Sequence, residues 1–146
     1  MKTLFLDIDG VLHPASHGDR VDPYAPISDT IGKPALFCYA PLLADILAPH
    51  DVAVIVHSSW RRFTREEDLR VMLGPLARYF GGTTPGGARY EGIRWLVQEN
   101  GLTDYRILDD EPSEFPQELC ELILCDPERG IEDSRVLAQL QAWLHG

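Results

Sequence analysis

The stretch Thr3-Leu4-Phe5-Leu6-Asp7-Ile8-Asp9-Gly10 decides the fold class. Its apolar run ends in acids and predicts a buried strand, because strands covered on both faces of a parallel sheet are almost continuously apolar. The carboxylates of Asp7 and Asp9 are two residues apart, so they point the same way from an extended strand. Ligands of α/β folds bind beyond the carboxyl ends of the strands. The stretch therefore predicts a strand with a functional site at its end.

Further apolar runs alternate with helical patterns along the rest of the chain. Strands are predicted at residues 52–56, 78–82, 105–108 and 119–125. Helices are predicted from Pro41 onward, from the capping box at 64–67 to about Leu73, and at residues 90–99 and 132–144. This alternation predicts an α/β domain with a mostly parallel, five-stranded sheet.

Composition limits the class of protein. A chain of 146 residues predicts a single domain spanning 1–146. Thirteen Lys and Arg against 23 Asp and Glu give a net charge of −10, which argues against stable binding to duplex nucleic acid. No apolar run approaches the ~20 residues of a membrane span, and the N-terminus lacks a signal-peptide core. The three cysteines form no CxxC pair, so we expect buried free thiols and a cytoplasmic location.

Residues 13–36 are predicted to form one long loop or flap after the first strand. They are rich in Pro, Asp, His and Gly. A loop longer than ~12–15 residues in a compact domain is usually functional or disordered. Such a flap could cover a site at the end of the first strand.

Polar side chains follow several predicted strands, at Asp7 and Asp9, Ser58 and Ser59, Asp109 and Asp110, and Asp126. Crowded carboxylates are costly unless a positive charge compensates them, and Mg²⁺ prefers oxygen ligands. Alone, an acidic pair such as Asp109-Asp110 is more often a helix cap or a surface turn. Together with the first pair it could complete a carboxylate cage for one divalent ion. The sequence leaves open whether Asp126 reaches the site or starts a turn.

Candidate phosphate-binding groups lie along the same predicted edge. Ser58 and Ser59 could donate to phosphate oxygens, although a serine at such a position is more often a helix cap. Four arginines are candidate partners of a phosphate, and most arginines of this kind are simply solvated: Arg61, Arg62, Arg65 and Arg89. His57 is more often packed near the sheet end than catalytic.

These motifs resemble those of the haloacid dehalogenase (HAD) phosphohydrolases. Residues 7–12, DIDGVL, resemble motif I; residues 52–58, an apolar strand ending in Ser, resemble motif II; residues 107–110, ILDD, resemble motif IV. The runs at 57–61, 109–112 and 125–130 narrow the resemblance to the small capless HAD domains named after Swiss-Army-knife RNA repair proteins. The resemblance implies a three-layer α/β/α Rossmann-like fold without a large cap domain.

The resemblance also implies a chemistry. Asp7 would be the nucleophile that attacks phosphorus, and Asp9 would protonate the leaving oxygen and then activate water. Mg²⁺ would be held by the Asp7 carboxylate, the Asp9 backbone carbonyl and Asp109, with Asp110 adjacent. The implied activity is that of a Mg²⁺-dependent phosphomonoesterase.

Motif III of the family requires a Lys or Arg near the start of the helix that precedes the motif IV strand. Arg89 occupies that place and is our assignment, and Arg61 is the alternative. An arginine keeps the charge of a lysine but differs from it in geometry. With Ser58 and Ser59, these arginines would bind the phosphoryl oxygens.

The substrate and two rival functions stay open. An uncapped site suits large substrates such as nucleic-acid ends, while a small phosphorylated metabolite is the alternative. One rival is a non-catalytic HAD-like binding domain on the same fold. The other is a receiver-like phosphorylation switch, but a receiver has its acidic pair after the first strand and a lone Asp after the third. The sequence does not determine the oligomeric state.

Overall fold

A computed structural model of the chain describes residues 1–18 and 36–146. Most of the predicted flap, 13–36, therefore lies outside the described residues. Five strands form one sheet: β1 (Lys2–Leu6), β2 (Val52–Val56), β3 (Phe80–Thr83), β4 (Tyr105–Asp109) and β5 (Leu122–Leu124). Their order is β3-β2-β1-β4-β5, and every pairing between neighbours is parallel.

Within residues 1–18 and 36–146, the helices that accompany the sheet are α1 (Ala15–Gly18), α2 (Ala40–Leu47), α3 (Glu66–Leu73), α4 (Arg89–Asn100) and α5 (Ser134–His145). Single 3₁₀ turns lie at Ser59–Arg62, Pro112–Glu114 and Gly130–Glu132, and a longer one at Gly74–Tyr79. No cap domain is present in residues 1–18 and 36–146. None of the described helices has both the length and the hydropathy of a membrane span.

The sheet separates two apolar cores, because side chains of a strand alternate between its faces. Leu4 and Leu6 of β1 face the larger core, which α2, α3 and α5 cover. Phe5 faces the other side and packs in a smaller cluster with Ile93 of α4 and Ile107 of β4. The predicted three-layer α/β/α fold with a parallel five-stranded sheet is confirmed.

Some predicted boundaries are wrong. Strand β5 is much shorter than residues 119–125, because turns at residues 117–118 and 120–121 precede it. Helix α3 begins at Glu66, so Arg65 and not Thr64 is its N-cap, and no side chain caps it. Three acids in its first turn instead stabilise the helix, because their negative charges interact favourably with the positive end of the helix dipole: Glu66, Glu67 and Asp68.

The prediction of three buried thiols is also wrong. Cys125 is buried, whereas Cys38 and Cys120 are exposed. The two exposed cysteines lie in turns before α2 and β5, where the chain runs along the surface.

Candidate active site

Three acids meet at the carboxyl edge of the sheet. Asp7 directly follows β1 and Asp109 ends β4, and these two strands are hydrogen-bonded neighbours. The Asp7 backbone N–H donates to Leu108 O at 3.0 Å, which aligns the two strand ends. One carboxylate oxygen from each of Asp7, Asp109 and Asp110 lies within 4.8 Å of the others. The first two side chains are buried, and that of Asp110 is partly buried.

A glycine permits this close approach. Gly10 has φ +78°, a conformation that side-chain-bearing residues rarely adopt. A Cβ atom at this position would collide with the carboxyl group of Asp110. The glycine of motif I therefore serves both the turn after Asp9 and the position of Asp110.

Arg89 brings a positive charge to the acids. As the first residue of α4, it places Nη1 at 3.3 Å from Asp7 Oδ2 and at 2.9 Å from both oxygens of Asp109. Burial opposes the charged form, but Asp7 and Asp109 outweigh it and raise the pKa of Arg89. The contacts that the described residues make with this guanidinium all fall on Nη1.

His57 contacts Asp109 from the end of β2. Its Nε2 lies 2.7 Å from Asp109 Oδ2, and both side chains are fully buried. Burial lowers the pKa of His57, although Asp109 opposes this shift, so the ring is neutral near pH 7 and donates from Nε2–H. The Glu111 backbone N–H donates to the other oxygen of Asp109 at 2.9 Å. The sequence did not predict the contact between His57 and Asp109. Its only signal was the position of His57 just beyond a strand.

The cluster has more negative charge than Arg89 can balance. Burial and the neighbouring Asp109 and Asp110 raise the pKa of Asp7 well above its ordinary value, with Arg89 opposing. Burial and Asp109 raise the pKa of Asp110 to about 6. Two carboxyl groups thus tend to hold protons that a divalent cation would displace. A set of clustered carboxylate oxygens fits Mg²⁺, which prefers hard oxygen ligands.

The carboxyl group of Asp9 has separate partners from the three-acid cluster. Its Oδ1 lies 2.7 Å from His13 Nε2, and its Oδ2 accepts a 3.1 Å hydrogen bond from Trp60 Nε1. About one third of this side chain is exposed. The cluster of carboxylates within ligand distance consists, among the described residues, of Asp7, Asp109 and Asp110.

Ser58 is a buried residue two positions beyond the end of β2. Its Oγ accepts a 3.1 Å hydrogen bond from the Trp60 backbone N–H, so it caps the 3₁₀ turn at Ser59–Arg62. A hydroxyl that accepts one hydrogen bond still has its proton to donate. Capping and phosphate binding, the two sequence-based interpretations of Ser58, are therefore compatible. Ser59, the first residue of the turn, is partly exposed.

Arg61 braces two loops. Its Nη1 donates to the carbonyls of His57 and Ser58 at 2.7 and 2.8 Å, and its Nη2 donates to Gly87 O at 3.0 Å. These bonds tie the loop after β2 to the loop before α4. The structure thus places Arg89 against the acids and engages Arg61 with backbone carbonyls.

Asp126 starts a turn, which resolves the alternative that the sequence left open. Its Oδ1 accepts from the backbone N–H groups of Glu128 and Arg129 at 2.9 and 3.1 Å. Gly130, at φ +52°, then packs so closely on Val11 that a Cβ would collide with the Val11 carbonyl. The turn therefore supports the motif I loop from outside the acid cluster.

Comparison with known proteins identified one family. The family described as the HAD domain in Swiss Army Knife RNA repair proteins matches residues 3–136, which include every acid of the cluster and Arg89. No curated protein and no solved structure matches the chain significantly.

Proposed function

Because the chain belongs to the family of HAD domains in Swiss Army Knife RNA repair proteins, we propose that it is a Mg²⁺-dependent phosphatase that hydrolyses a phosphomonoester through an aspartyl-phosphate. The observation that carries this proposal is the meeting of Asp7, Asp109 and Asp110 with Arg89 at one edge of the sheet. This edge is where an α/β fold binds its ligand.

In the first step an oxygen of the Asp7 carboxylate attacks phosphorus. The bond between phosphorus and the ester oxygen breaks, and that oxygen takes the proton of the Asp9 carboxyl group and leaves as an alcohol. In the second step the Asp9 carboxylate takes a proton from water, whose oxygen attacks the phosphorus. The bond to Asp7 then breaks, which releases phosphate and restores both aspartates. The sum is one ester and one water converted to one alcohol and one phosphate.

The carboxylates of Asp7, Asp109 and Asp110 are the groups that would hold Mg²⁺, together with the backbone carbonyl of Asp9 that the family pattern implies. When bound, Mg²⁺ neutralises charge that would otherwise repel an anionic phosphate from the Asp7 carboxylate. His57 and the backbone N–H of Glu111 orient Asp109 for this task.

Ser58 and Arg89 would bind the phosphoryl oxygens, where charge resides in the transition state. The hydroxyl proton of Ser58 and the Arg89 nitrogens beyond Nη1 are the donors for this role. Ser59, next to Ser58, is a further candidate. The bonds of Arg61 to backbone carbonyls favour a bracing role for that residue and Arg89 as the basic group of motif III.

The family description names RNA repair proteins, which favours phosphorylated nucleic-acid ends as substrates. The net charge of −10 disfavours long contacts with duplex, so recognition of an end fits better. A small phosphorylated metabolite is the alternative substrate. We also propose that the protein is cytoplasmic and that residues 1–146 form one domain.

The test is phosphate release from an aryl phosphate with and without Mg²⁺, with wild type compared with Asp7→Asn. We expect turnover that needs both the metal and Asp7, with a loss on the order of 10⁴-fold or more in the variant, as for other covalent nucleophiles. Activity retained by a pure Asp7→Asn preparation would contradict the covalent mechanism.

Two further comparisons refine the test. Arg89→Ala should lower turnover, and a loss confined to Arg61→Ala would transfer the motif III role to Arg61. If the aryl phosphate is not hydrolysed, RNA and DNA ends and small phosphates are screened next. Stabilisation by Mg²⁺ without turnover of any phosphoester would instead favour the non-catalytic binding domain.

A further inference from the structure

Each oxygen of the Asp9 carboxyl group has its own N–H donor. His13 Nε2 lies 2.7 Å from Oδ1, and Trp60 Nε1 donates to Oδ2 at 3.1 Å. The side chain of His13 is fully buried and Trp60 is 2% exposed. Two donors from different segments of the chain thus fix the plane of a carboxyl group that is itself partly open to solvent.

The tautomer of His13 follows from its second contact. Its Nδ1 accepts a 3.0 Å hydrogen bond from the backbone N–H of Phe37, so Nδ1 carries no proton. The ring proton of the neutral imidazole is therefore on Nε2, and His13 donates to Asp9. Phe37 thereby determines which way this hydrogen bond runs.

The two donors are themselves held in place by aromatic packing. The ring of Phe37 contacts those of His13 and Trp60 edge-to-face, with centroids 5.5 and 5.3 Å apart. Phe37 has φ +58°, which costs a residue with a side chain roughly 1–2 kcal/mol. Such strain persists only where the surroundings over-determine the conformation, and it is common at functional sites.

We propose that His13 and Trp60 are positioning residues that hold the Asp9 carboxyl group in the orientation needed for proton transfer to the leaving oxygen. This inference rests on the proposed phosphatase function. Through these two contacts the Asp9 carboxyl group has hydrogen-bond partners that Asp7, Asp109 and Asp110 do not share. The acid and the nucleophile, two residues apart in sequence, thereby have different surroundings.

The leaving group provides the readout. A basic alkoxide needs a proton as the ester bond breaks, whereas nitrophenolate leaves with little assistance. If Asp9 loses its orientation, kcat/KM should therefore fall far more for an alkyl phosphate than for 4-nitrophenyl phosphate. The value of kcat/KM reports only the steps up to phosphorylation of Asp7, so the later role of Asp9 with water does not obscure the comparison.

The experiment measures kcat/KM for both substrates in wild type, Trp60→Phe, His13→Phe and His13→Gln. Trp60→Phe keeps an aromatic ring and removes the N–H. We expect it to lower kcat/KM about 10-fold more for the alkyl phosphate than for 4-nitrophenyl phosphate, because a positioned acid is worth about 10²–10⁴-fold. His13→Gln keeps one donor and one acceptor, so it should retain more activity on the alkyl phosphate than His13→Phe.

Trp143→Phe is the matched control. Trp143 is also buried and its Nε1 donates to an aspartate, Asp104, at 2.7 Å, but this pair lies at the opposite end of β4. The control should leave the ratio between the two substrates unchanged. Equal losses on both substrates in Trp60→Phe and His13→Phe would overturn the inference and assign the two residues a purely structural role.

A measurement without turnover separates this inference from the proposed function. The indole N–H resonance of Trp60 and the ring ¹⁵N shifts of His13 should change in Asp9→Asn, while the indole resonance of Trp143 stays in place. Unchanged Trp60 and His13 resonances would overturn the inference even in an active enzyme. A wild-type protein that hydrolyses no phosphoester would instead overturn the proposed function.

Discussion

His57 and Asp109 form a fully buried pair, with Nε2 and Oδ2 2.7 Å apart. The pair connects the end of β2 to the end of β4 across the end of β1, which lies between them in the sheet. Burial alone would raise the pKa of Asp109, but the hydrogen bond from His57 and the charge of Arg89 hold it below the ordinary value. The pKa of Asp109 is therefore lowered, whereas the pKa values of Asp7 and Asp110 are raised.

Replacement of His57 tests this pair. His57→Phe removes the donor and leaves a buried Asp109 oxygen short of one hydrogen bond, which costs roughly 1–3 kcal/mol of stability. Because Asp109 would also lose its orientation, the Mg²⁺ affinity should fall by about 10–100-fold. Mg²⁺ titrations of activity and of thermal stability measure both effects. His57→Gln, which can still donate, is the matched variant, and an equal loss of affinity in both would contradict the role of the donated hydrogen bond.

The pH dependence of metal binding should follow the shifted acids. In the metal-free protein the pKa of Asp110 is about 6, against an ordinary value of 3.8. A group whose pKa is raised by folding contributes stability that is full below about pH 4 and is lost as the pH rises through about 6. Mg²⁺ needs the ionised carboxylates. The increase in Tm caused by Mg²⁺ should therefore be small near pH 5 and larger near pH 7.5.

Thermal unfolding in Mg²⁺ and in EDTA, at each pH, measures the increase in Tm that Mg²⁺ causes. Groups that titrate far from the metal affect both Tm values equally, so their contribution cancels in the difference. Asp7→Asn replaces a carboxyl group whose ionised form is disfavoured by burial and by the neighbouring acids. It should raise the Tm of the metal-free protein by a few degrees, the shift expected for about 1 kcal/mol in a domain of this size. An equal Mg²⁺ effect at both pH values would show that the acids are ionised without the metal.

Substitution of Gly10 should damage both stability and metal binding. Gly10→Ala puts a Cβ at φ +78° and against the Asp110 carboxyl group. Strain of this kind costs of order 1–3 kcal/mol, and displacement of Asp110 should weaken Mg²⁺ binding. Gly86→Ala is the control, because a Cβ there meets no atom of the described residues within 4 Å. Thermal unfolding with and without Mg²⁺ measures both variants, and equal behaviour of the two would refute the close approach.

Thiol labelling should distinguish Cys125 from the other two cysteines. Cys125 is 2% exposed, and burial together with Asp109 and Asp110 raises the pKa of its thiol. Because the thiolate is the reactive form, native protein should take up iodoacetamide at Cys38 and Cys120 alone. Unfolded protein should react at all three. Mass spectrometry of the intact chain and its peptides measures the sites, and rapid native labelling of Cys125 would contradict the packing at the end of β5.

Much of the fold could be predicted from local patterns. The apolar runs of β1, β2 and β4 end in polar residues, and apolar residues recur at helical spacing between them. The pattern failed at β5, where a turn at residues 120–121 replaces the first part of the predicted strand. The burial of Cys38 and Cys120 was predicted wrongly, because both lie in turns and turns run along the surface of the protein.

The sequence by itself determined the parallel α/β architecture and the edge at which the acids lie, because the hydrophobic pattern marks the strands and helices, and the carboxyl ends of parallel strands lie at one edge of the sheet. The tertiary structure alone decided the partners of each acid. Asp9 contacts His13 and Trp60, Asp109 contacts His57, and Arg89 rather than Arg61 contacts Asp7. Such pairings join residues up to 82 positions apart. They depend on how strand ends and loops pack in three dimensions, which no local spacing encodes.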